Sequence, residues 1–104
     1  MVGQWHIIAG CDDIEDGDGV TVVIDNREIA VFRCGQDSYA TDNVCTHARA
    51  PLVDGYLDGE IIECPLHQGR FDLRNGRALC SPATVDLKTY STRTVNGELQ
   101  VRIQ

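Results

Sequence analysis

Two short segments of the chain each carry one cysteine and one histidine, side chains that readily bind transition metals. The first segment reads CTH at residues 45–47 and the second reads CPLH at residues 64–67, with sixteen residues between His47 and Cys64. Each segment therefore offers one thiolate and one imidazole from a single loop. We expect the two loops to face each other around one metal centre. Its predicted ligands are Cys45, His47, Cys64 and His67.

Two kinds of metal centre fit two sulfur and two nitrogen ligands. A single tetrahedral zinc ion would take all four ligands and would be structural. A [2Fe–2S] cluster would instead take both cysteines on one iron and both histidines on the other. Common zinc fingers pair cysteine with cysteine and histidine with histidine, whereas each loop here mixes the two types. Mixed loops would let each loop bridge the two irons of a cluster.

The residues around both loops extend the pattern into longer motifs. They read YATDNVCTH at 39–47, DGYL at 54–57, CPLHQGRFD at 64–72, GRALC at 76–80 and SPA at 81–83. These motifs resemble the small Rieske ferredoxins of bacterial aromatic-ring-hydroxylating dioxygenase systems, most closely the naphthalene-dioxygenase type.

The resemblance implies one [2Fe–2S] cluster per chain and a role as an electron carrier that is not catalytic by itself. A flavin-dependent NADH:ferredoxin reductase would supply single electrons, and a terminal Rieske non-haem iron oxygenase would receive them. Two other functions remain open at this point. The chain could be a Rieske subunit of another oxidoreductase or monooxygenase, or it could be a structural zinc module.

The resemblance also predicts a low reduction potential. The high-potential Rieske proteins of respiratory complexes carry a disulfide-forming cysteine in each ligand loop, where this chain has Ala50 and Leu66. They also place serine and tyrosine hydroxyls near the cluster, where this chain has Gly69 and Phe71. Fewer hydrogen bonds to sulfur stabilise the reduced cluster less, so we expect a potential of roughly −150 mV. Arg49, close to the first histidine, is expected to be a solvated loop residue.

The charge of the chain excludes several classes of partner. Sixteen Asp and Glu residues against nine Lys and Arg residues give the 104-residue chain a formal charge of −7. An acidic surface repels nucleic-acid phosphates and anionic lipids, so neither is an expected partner. The sequence contains no apolar run long enough to span a bilayer and no signal peptide. We therefore expect a cytoplasmic monomer.

Alternating and β-branched segments separated by turn residues predict an all-β fold. The predicted strands are residues 4–9, 20–24, 28–34, 38–41, 60–64, 70–73, 86–90 and 98–103. Tight turns are predicted at 25–26, 35–37, 58–59, 75–76 and 96–97, where Asn, Asp and Gly supply positive φ angles. We expect one domain over residues 1–104, a small antiparallel β-sandwich or barrel with a cluster-binding subdomain at about 43–83.

The remaining cysteines and histidine are interpreted as packing residues. Cys11 and Cys34 have no metal-like partner nearby in the sequence, Cys80 is interpreted as a small buried hydrophobe, and His6 is a single histidine on an N-terminal strand. The acidic run at 12–18 is interpreted as a solvated loop.

Four acidic residues and three apolar ones are candidates for contact with partners. The acidic residues could form a collar that steers basic proteins toward the cluster; they are Asp54, Asp58, Glu60 and Glu63. We expect the apolar centre of the docking surface at Pro51, Leu66 and Pro82, the last of which would also shield the cluster.

Overall fold

The computed structural model describes residues 4–10, 14–44, 50–66, 69–80 and 85–103. Within these ranges the chain forms β-strands and one short 3₁₀ helix at Leu52–Asp54, and it forms no α-helix. The strands are β1 (Gln4–Gly10), β2 (Gly19–Ile24), β3 (Arg27–Cys34), β4 (Asp37–Asp42), β5 (Tyr56–Asp58), β6 (Ile61–Glu63), β7 (Arg70–Asp72), β8 (Ala78–Cys80), β9 (Thr89–Tyr90), β10 (Thr92–Val95) and β11 (Glu98–Ile103). None of the helical structure described is long and apolar enough to cross a membrane.

The strands form three antiparallel sheets, which confirms the predicted all-β class. The strand orders are β1-β11-β10, β2-β3-β4-β9 and β5-β6-β7-β8. The first two sheets supply the base of the molecule. The third sheet, which we call the cluster sheet, lies between β4 and β9 in the chain and carries Cys64 directly after β6. The boundaries expected for the subdomain stay a prediction, since residues 81–84 lie outside the described ranges.

Hairpin turns occur where the Asn, Asp and Gly pairs predict them. Asp25 and Asn26, between β2 and β3, have φ angles of 50° and 64°. Asn96 and Gly97, between β10 and β11, have φ angles of 51° and 78°. Two consecutive residues of positive φ give a turn whose twist matches that of the flanking strands. These turns therefore fix the register of both hairpins.

Strand β3 lies at the centre of the molecule, with side chains buried on both of its faces. Ile29 and Val31 point into one apolar core, together with Leu99, Val101 and Ile103 of β11. Ala30 and Phe32 point into a second core that contains Ile62, Phe71 and Leu73 of the cluster sheet and the turn after β7. A strand buried on both faces reads as a continuous hydrophobic run. The middle sheet is therefore packed between the β1-β11-β10 sheet and the cluster sheet.

The strand prediction was wrong in detail at the shortest elements. Strands β5, β8 and β10 were not predicted, and only Thr89–Tyr90 of the predicted strand at 86–90 is a strand. Residues 86–88 are held by single hydrogen bonds instead of a strand ladder. Ala78 N donates to Asp86 Oδ1 at 2.8 Å, and Leu87 N donates to Gly76 O at 2.7 Å. These contacts tie the segment to the turn between β7 and β8.

Replacing Phe32 by alanine is expected to destabilise the fold strongly. The side chain is 2% exposed and packs in the core shared by the middle and cluster sheets. Truncating a buried phenylalanine leaves a cavity and costs about 3–5 kcal/mol of unfolding free energy. The midpoint of thermal unfolding, followed by circular dichroism, should fall accordingly. Val23→Ala on β2 is the control, because Val23 is 67% exposed and its loss should change the midpoint little.

Candidate metal centre

One of the four predicted ligands, Cys64, lies within the described residues. Cys64 is 1% exposed and belongs to the core formed by the middle and cluster sheets. The predicted ligands Cys45, His47 and His67 lie outside the described residues, as do Arg49 and Pro82.

The second ligand loop is closed by a backbone hydrogen bond at its base. Cys64 N donates to Gly69 O at 2.7 Å, so the chain leaves β6 and returns to β7 at nearly the same point. Pro65 is half-buried and Leu66 is 49% exposed at the outer part of this turn. Burial in apolar surroundings disfavours a thiolate unless a cation compensates it. Cys64 would therefore be a thiolate in this position only with a cation bound beside it.

The first ligand loop is also closed at its base. Val44 and Pro51 form an isolated β-bridge, and Leu52 N donates to Asn43 O at 2.6 Å. The residues that follow the loop, Ala50 and Leu52, are buried in the same core as Cys64. The bases of the two ligand loops thus meet on one core. The cysteine and histidine donors, the two loops closed at their bases and the buried side chain of Cys64 all fit a [2Fe–2S] cluster.

Asn43 anchors the first loop, and the sequence analysis did not single it out. The residue is 1% exposed. Its side-chain Oδ1 accepts a hydrogen bond from Val53 N at 3.3 Å, and its Nδ2 donates to Thr21 Oγ1 at 3.3 Å and to Glu28 Oε1 at 3.4 Å. One amide therefore connects both ends of the first loop to strands β2 and β3.

Gly55 allows a close approach between the end of the 3₁₀ helix and β6. A Cβ atom added at Gly55 would lie 2.0 Å from the backbone oxygen of Glu63, the residue that precedes Cys64. No larger residue fits without moving one of these backbones. The segment after the first loop is thereby fixed against the start of the second loop.

A chain of polar contacts joins the middle sheet to the cluster sheet. Tyr39 on β4 donates its hydroxyl to Glu60 Oε2 at 2.9 Å, and Arg74 Nε lies 3.5 Å from the same oxygen. Arg74 also donates from Nη2 to Asp72 Oδ2 at 2.8 Å. Burial and the hydrogen bond to Glu60 raise the pKa of Tyr39 to about 12. Hydrogen bonds from Arg74 hold the pKa of Asp72 below its usual range.

The predicted acidic collar divides into two pairs. Glu60 contacts Arg74, and Glu63 Oε1 lies 3.0 Å from Arg70 Nε. Asp54 and Asp58 are exposed. The charges of the two glutamates are therefore partly balanced by arginine, and the two aspartates carry the acidic character of this edge.

Some of the residues interpreted as packing or solvated lie within the described ranges. Cys34 is half-buried against the cluster-side core, and burial, followed by the charge of Glu60, raises the pKa of its thiol to about 11. A thiol protonated at neutral pH is suited to packing. In the acidic run, Asp16 Oδ1 accepts from Gly35 N at 2.7 Å, which ties this loop to the turn between β3 and β4. Cys11 and the side chain of Cys80 lie outside the described residues.

Comparison with known proteins assigns the chain to a family. Residues 4–91 match the Rieske [2Fe-2S] domain. The chain is 46% identical, over the full length of both chains, to the ferredoxin component of the naphthalene 1,2-dioxygenase/salicylate 5-hydroxylase systems of Ralstonia sp.

Two solved structures share the fold closely. The ferredoxin of carbazole 1,9a-dioxygenase from Nocardioides aromaticivorans IC177 has a TM-score of 0.93 and 33% identity, with 97% of this chain and 99% of that chain covered. A chain of the complex of reduced oxygenase and oxidized ferredoxin in carbazole 1,9a-dioxygenase has a TM-score of 0.90 and 36% identity, with 94% and 92% covered.

The fold, the closed loops and these similarities define the class of protein: it is a single-electron carrier with an iron–sulfur cofactor. The chain belongs to the Rieske [2Fe-2S] domain family, and within it to the ferredoxin components of aromatic dioxygenase systems. Its cofactor is a [2Fe–2S] cluster, so the zinc alternative is discarded. The predicted resemblance and cofactor are confirmed.

Replacing Asn43 by alanine should lower cluster content. The change leaves the Val53 N–H without its side-chain acceptor in a part-buried position, a loss that costs about 1–3 kcal/mol. Because Asn43 fixes both ends of the first loop, we expect less iron and acid-labile sulfide per chain, and weaker visible absorbance. Asn75→Ala is the matched control, since Asn75 is exposed and its side chain accepts a turn hydrogen bond from Arg77 N. Equal iron content in the two variants would contradict the assigned role of Asn43.

Proposed function

We propose that the chain is a cytoplasmic, monomeric carrier that takes single electrons from a flavin-dependent NADH:ferredoxin reductase. It delivers them to a terminal Rieske non-haem iron oxygenase that hydroxylates aromatic rings. The observation that carries the proposal is the meeting of both loop bases on one core, with the Cys64 residue buried in it. The Ralstonia relative, a ferredoxin component of such systems, supports the choice of partner class.

The proposed ligand set is Cys45, His47, Cys64 and His67. The cysteines bind one iron and the histidines bind the other, an arrangement that supplies reversible one-electron chemistry. Two thiolates cancel the charge of the oxidised core, whereas neutral imidazoles add none. The protein therefore has to accommodate only one net negative charge on reduction. Burial of Cys64 at the base of its loop keeps one ligating sulfur away from water.

Partner contact is proposed around the two ligand loops. Leu66 is 49% exposed within the second loop, and Pro51 is exposed at the base of the first. An apolar centre with the exposed Asp54 next to Pro51 is suited to short-lived contacts with a basic rim on the partner. A small interface of this kind lets the carrier dissociate between its two partners.

Electron paramagnetic resonance of the dithionite-reduced protein tests the ligand set. We expect a rhombic signal whose average g value lies below that of the free electron. His67→Cys should lower the reduction potential or abolish the cluster, because it replaces a neutral ligand on the histidine-bound iron by a thiolate. His6→Gln, on β1 in the opposite layer, is the control and should leave the signal and the potential unchanged. A His67→Cys protein with the parental signal and potential would refute ligation by His67.

The absence of a hydroxyl at Phe71 is proposed to help set a low potential. Phe71 is completely buried in the core that contains Cys64. Phe71→Tyr should therefore raise the reduction potential, because a hydroxyl donor near sulfur stabilises the added electron.

Protein-film voltammetry measures this shift. Phe32→Tyr is the control, because it places the same hydroxyl in the same core from β3, on the middle sheet. An unchanged potential in Phe71→Tyr, with the cluster intact, would mean that hydrogen bonding at this position does not set the potential.

A further inference from the structure

Three cations gather on the outer side of the base of this acidic protein. We call this the basic face and define it as Trp5, Lys88, Arg93 and Arg102. The guanidinium carbon of Arg93 lies 4.1 Å from the centre of the Trp5 ring, and that of Arg102 lies 5.6 Å from it. Lys88 Nζ lies 5.2 Å from the centre of the Tyr90 ring. The aromatic rings thus hold the cationic groups in defined positions.

Strand register places most of this face on the outside of the β1-β11-β10 sheet. Trp5 pairs with Arg102, and Arg93 pairs with Gln100. Leu99, Val101 and Ile103 point to the core, so the alternate residues of β11 point outward. Arg93 Nε donates to Gln100 Oε1 at 2.8 Å, which anchors the arginine to the sheet.

The sheet that carries Trp5, Arg93 and Arg102 lies on the layer opposite the cluster sheet. The middle sheet packs its Ile29 and Val31 against the β1-β11-β10 sheet, and its Ala30 and Phe32 against the cluster-side core. The middle sheet therefore separates the outer side of the base from Cys64. A protein bound there leaves Cys64 and the bases of the two ligand loops uncovered.

The cations of the basic face have no acidic partner among the described residues. The salt bridges among the described residues are made by Arg70 and Arg74, both near the cluster sheet. The register puts one carboxylate, Glu98, on the outer side of the same sheet, but opposite Val95 at the far end of β11. Like charges held together without a counter-charge raise the free energy of the isolated protein. An acidic ligand would relieve that cost.

A small concavity lies between two of these cations. It has a volume of about 170 Å³ and is lined by Lys88, Thr89, Tyr90, Ser91 and Arg102, without a carboxylate. Tyr90 donates its hydroxyl to Asp42 Oδ1 at 2.6 Å. The two cations and the hydroxyls of Thr89 and Ser91 are therefore the groups that can bind an anion. The concavity is smaller than pockets for drug-sized ligands, which begin at about 300 Å³, so it fits a single carboxylate group.

We propose that the basic face docks an acidic segment of a partner protein. One carboxylate occupies the concavity between Lys88 and Arg102, and a second pairs with Arg93. Tryptophan and arginine are enriched at protein interfaces and at their energetic centres. A second copy of this chain is not the favoured occupant, because two molecules of charge −7 repel each other. The proposal does not depend on the identity of the electron-transfer partners.

Trp5 is the single tryptophan of the chain and therefore reports directly on this face. The cluster-loaded full chain is titrated with a short acetylated oligoglutamate peptide, followed by tryptophan emission and by the anisotropy of a labelled peptide. We expect saturable binding that weakens as salt is added, since exposed charge pairs are screened. Arg93→Gln and Arg102→Gln should each weaken binding about fivefold.

Arg77→Gln is the matched control. It removes the same charge from an exposed arginine next to β8 in the cluster sheet, so it should leave peptide binding unchanged. Unfolding midpoints of all variants show whether the sheet remains intact. An equal loss of affinity in Arg77→Gln would reduce the effect to net charge and overturn the proposal. Inorganic phosphate that binds while the peptide does not, or no binding of either, would also overturn it.

Discussion

The burial of β3 on both of its faces is the constraint on which the rest of the molecule depends. Ile29 through Phe32 are almost fully buried in consecutive positions, so the middle sheet must be covered on each side. The β1-β11-β10 sheet covers one side, and the cluster sheet with its adjoining loops covers the other. The cluster sheet, which holds Cys64, is made of three-residue strands. Such short strands are not stable alone, so the metal centre relies on apolar contact with β3.

Side-chain hydrogen bonds and a close backbone approach, rather than sheet ladders, hold the bases of the ligand loops. Asn43 replaces a strand partner at the first loop, since its amide supplies the hydrogen bonds that the irregular backbone needs. Gly55 lets the chain after that loop approach β6 more closely than any side chain would allow. The Tyr39–Glu60–Arg74 contacts then join the two sheets outside the core. The position of Cys64 therefore depends on polar contacts as much as on apolar burial.

Local sequence predicts the fold class and the pattern of metal ligands. It does not predict the residues that anchor the ligand loops, Asn43 and Gly55. Alternating strands and Asn-Gly type turns predict the hairpins, because both signals act between near neighbours in the chain. Strands β5 and β8 escape prediction because their sequences, YLD and ALC, contain no β-branched residue, whereas the equally short β6 contains two isoleucines. The role of Asn43 escapes it because Thr21 and Glu28 lie 22 and 15 residues away. The close approach of Gly55 to Glu63 is likewise a tertiary contact without a local pattern.

Charge is distributed unevenly between the two outer layers. Around the cluster sheet, Arg70 and Arg74 partly balance Glu60, Glu63 and Asp72, whereas Asp54 and Asp58 are exposed. On the opposite layer, Arg93 and Arg102 stack on Trp5 without a carboxylate partner in the described residues. The field of the protein therefore attracts basic surfaces toward the exposed carboxylates of the cluster sheet and acidic surfaces toward the basic face. Because the middle sheet separates these layers, the two kinds of partner do not compete for the same surface.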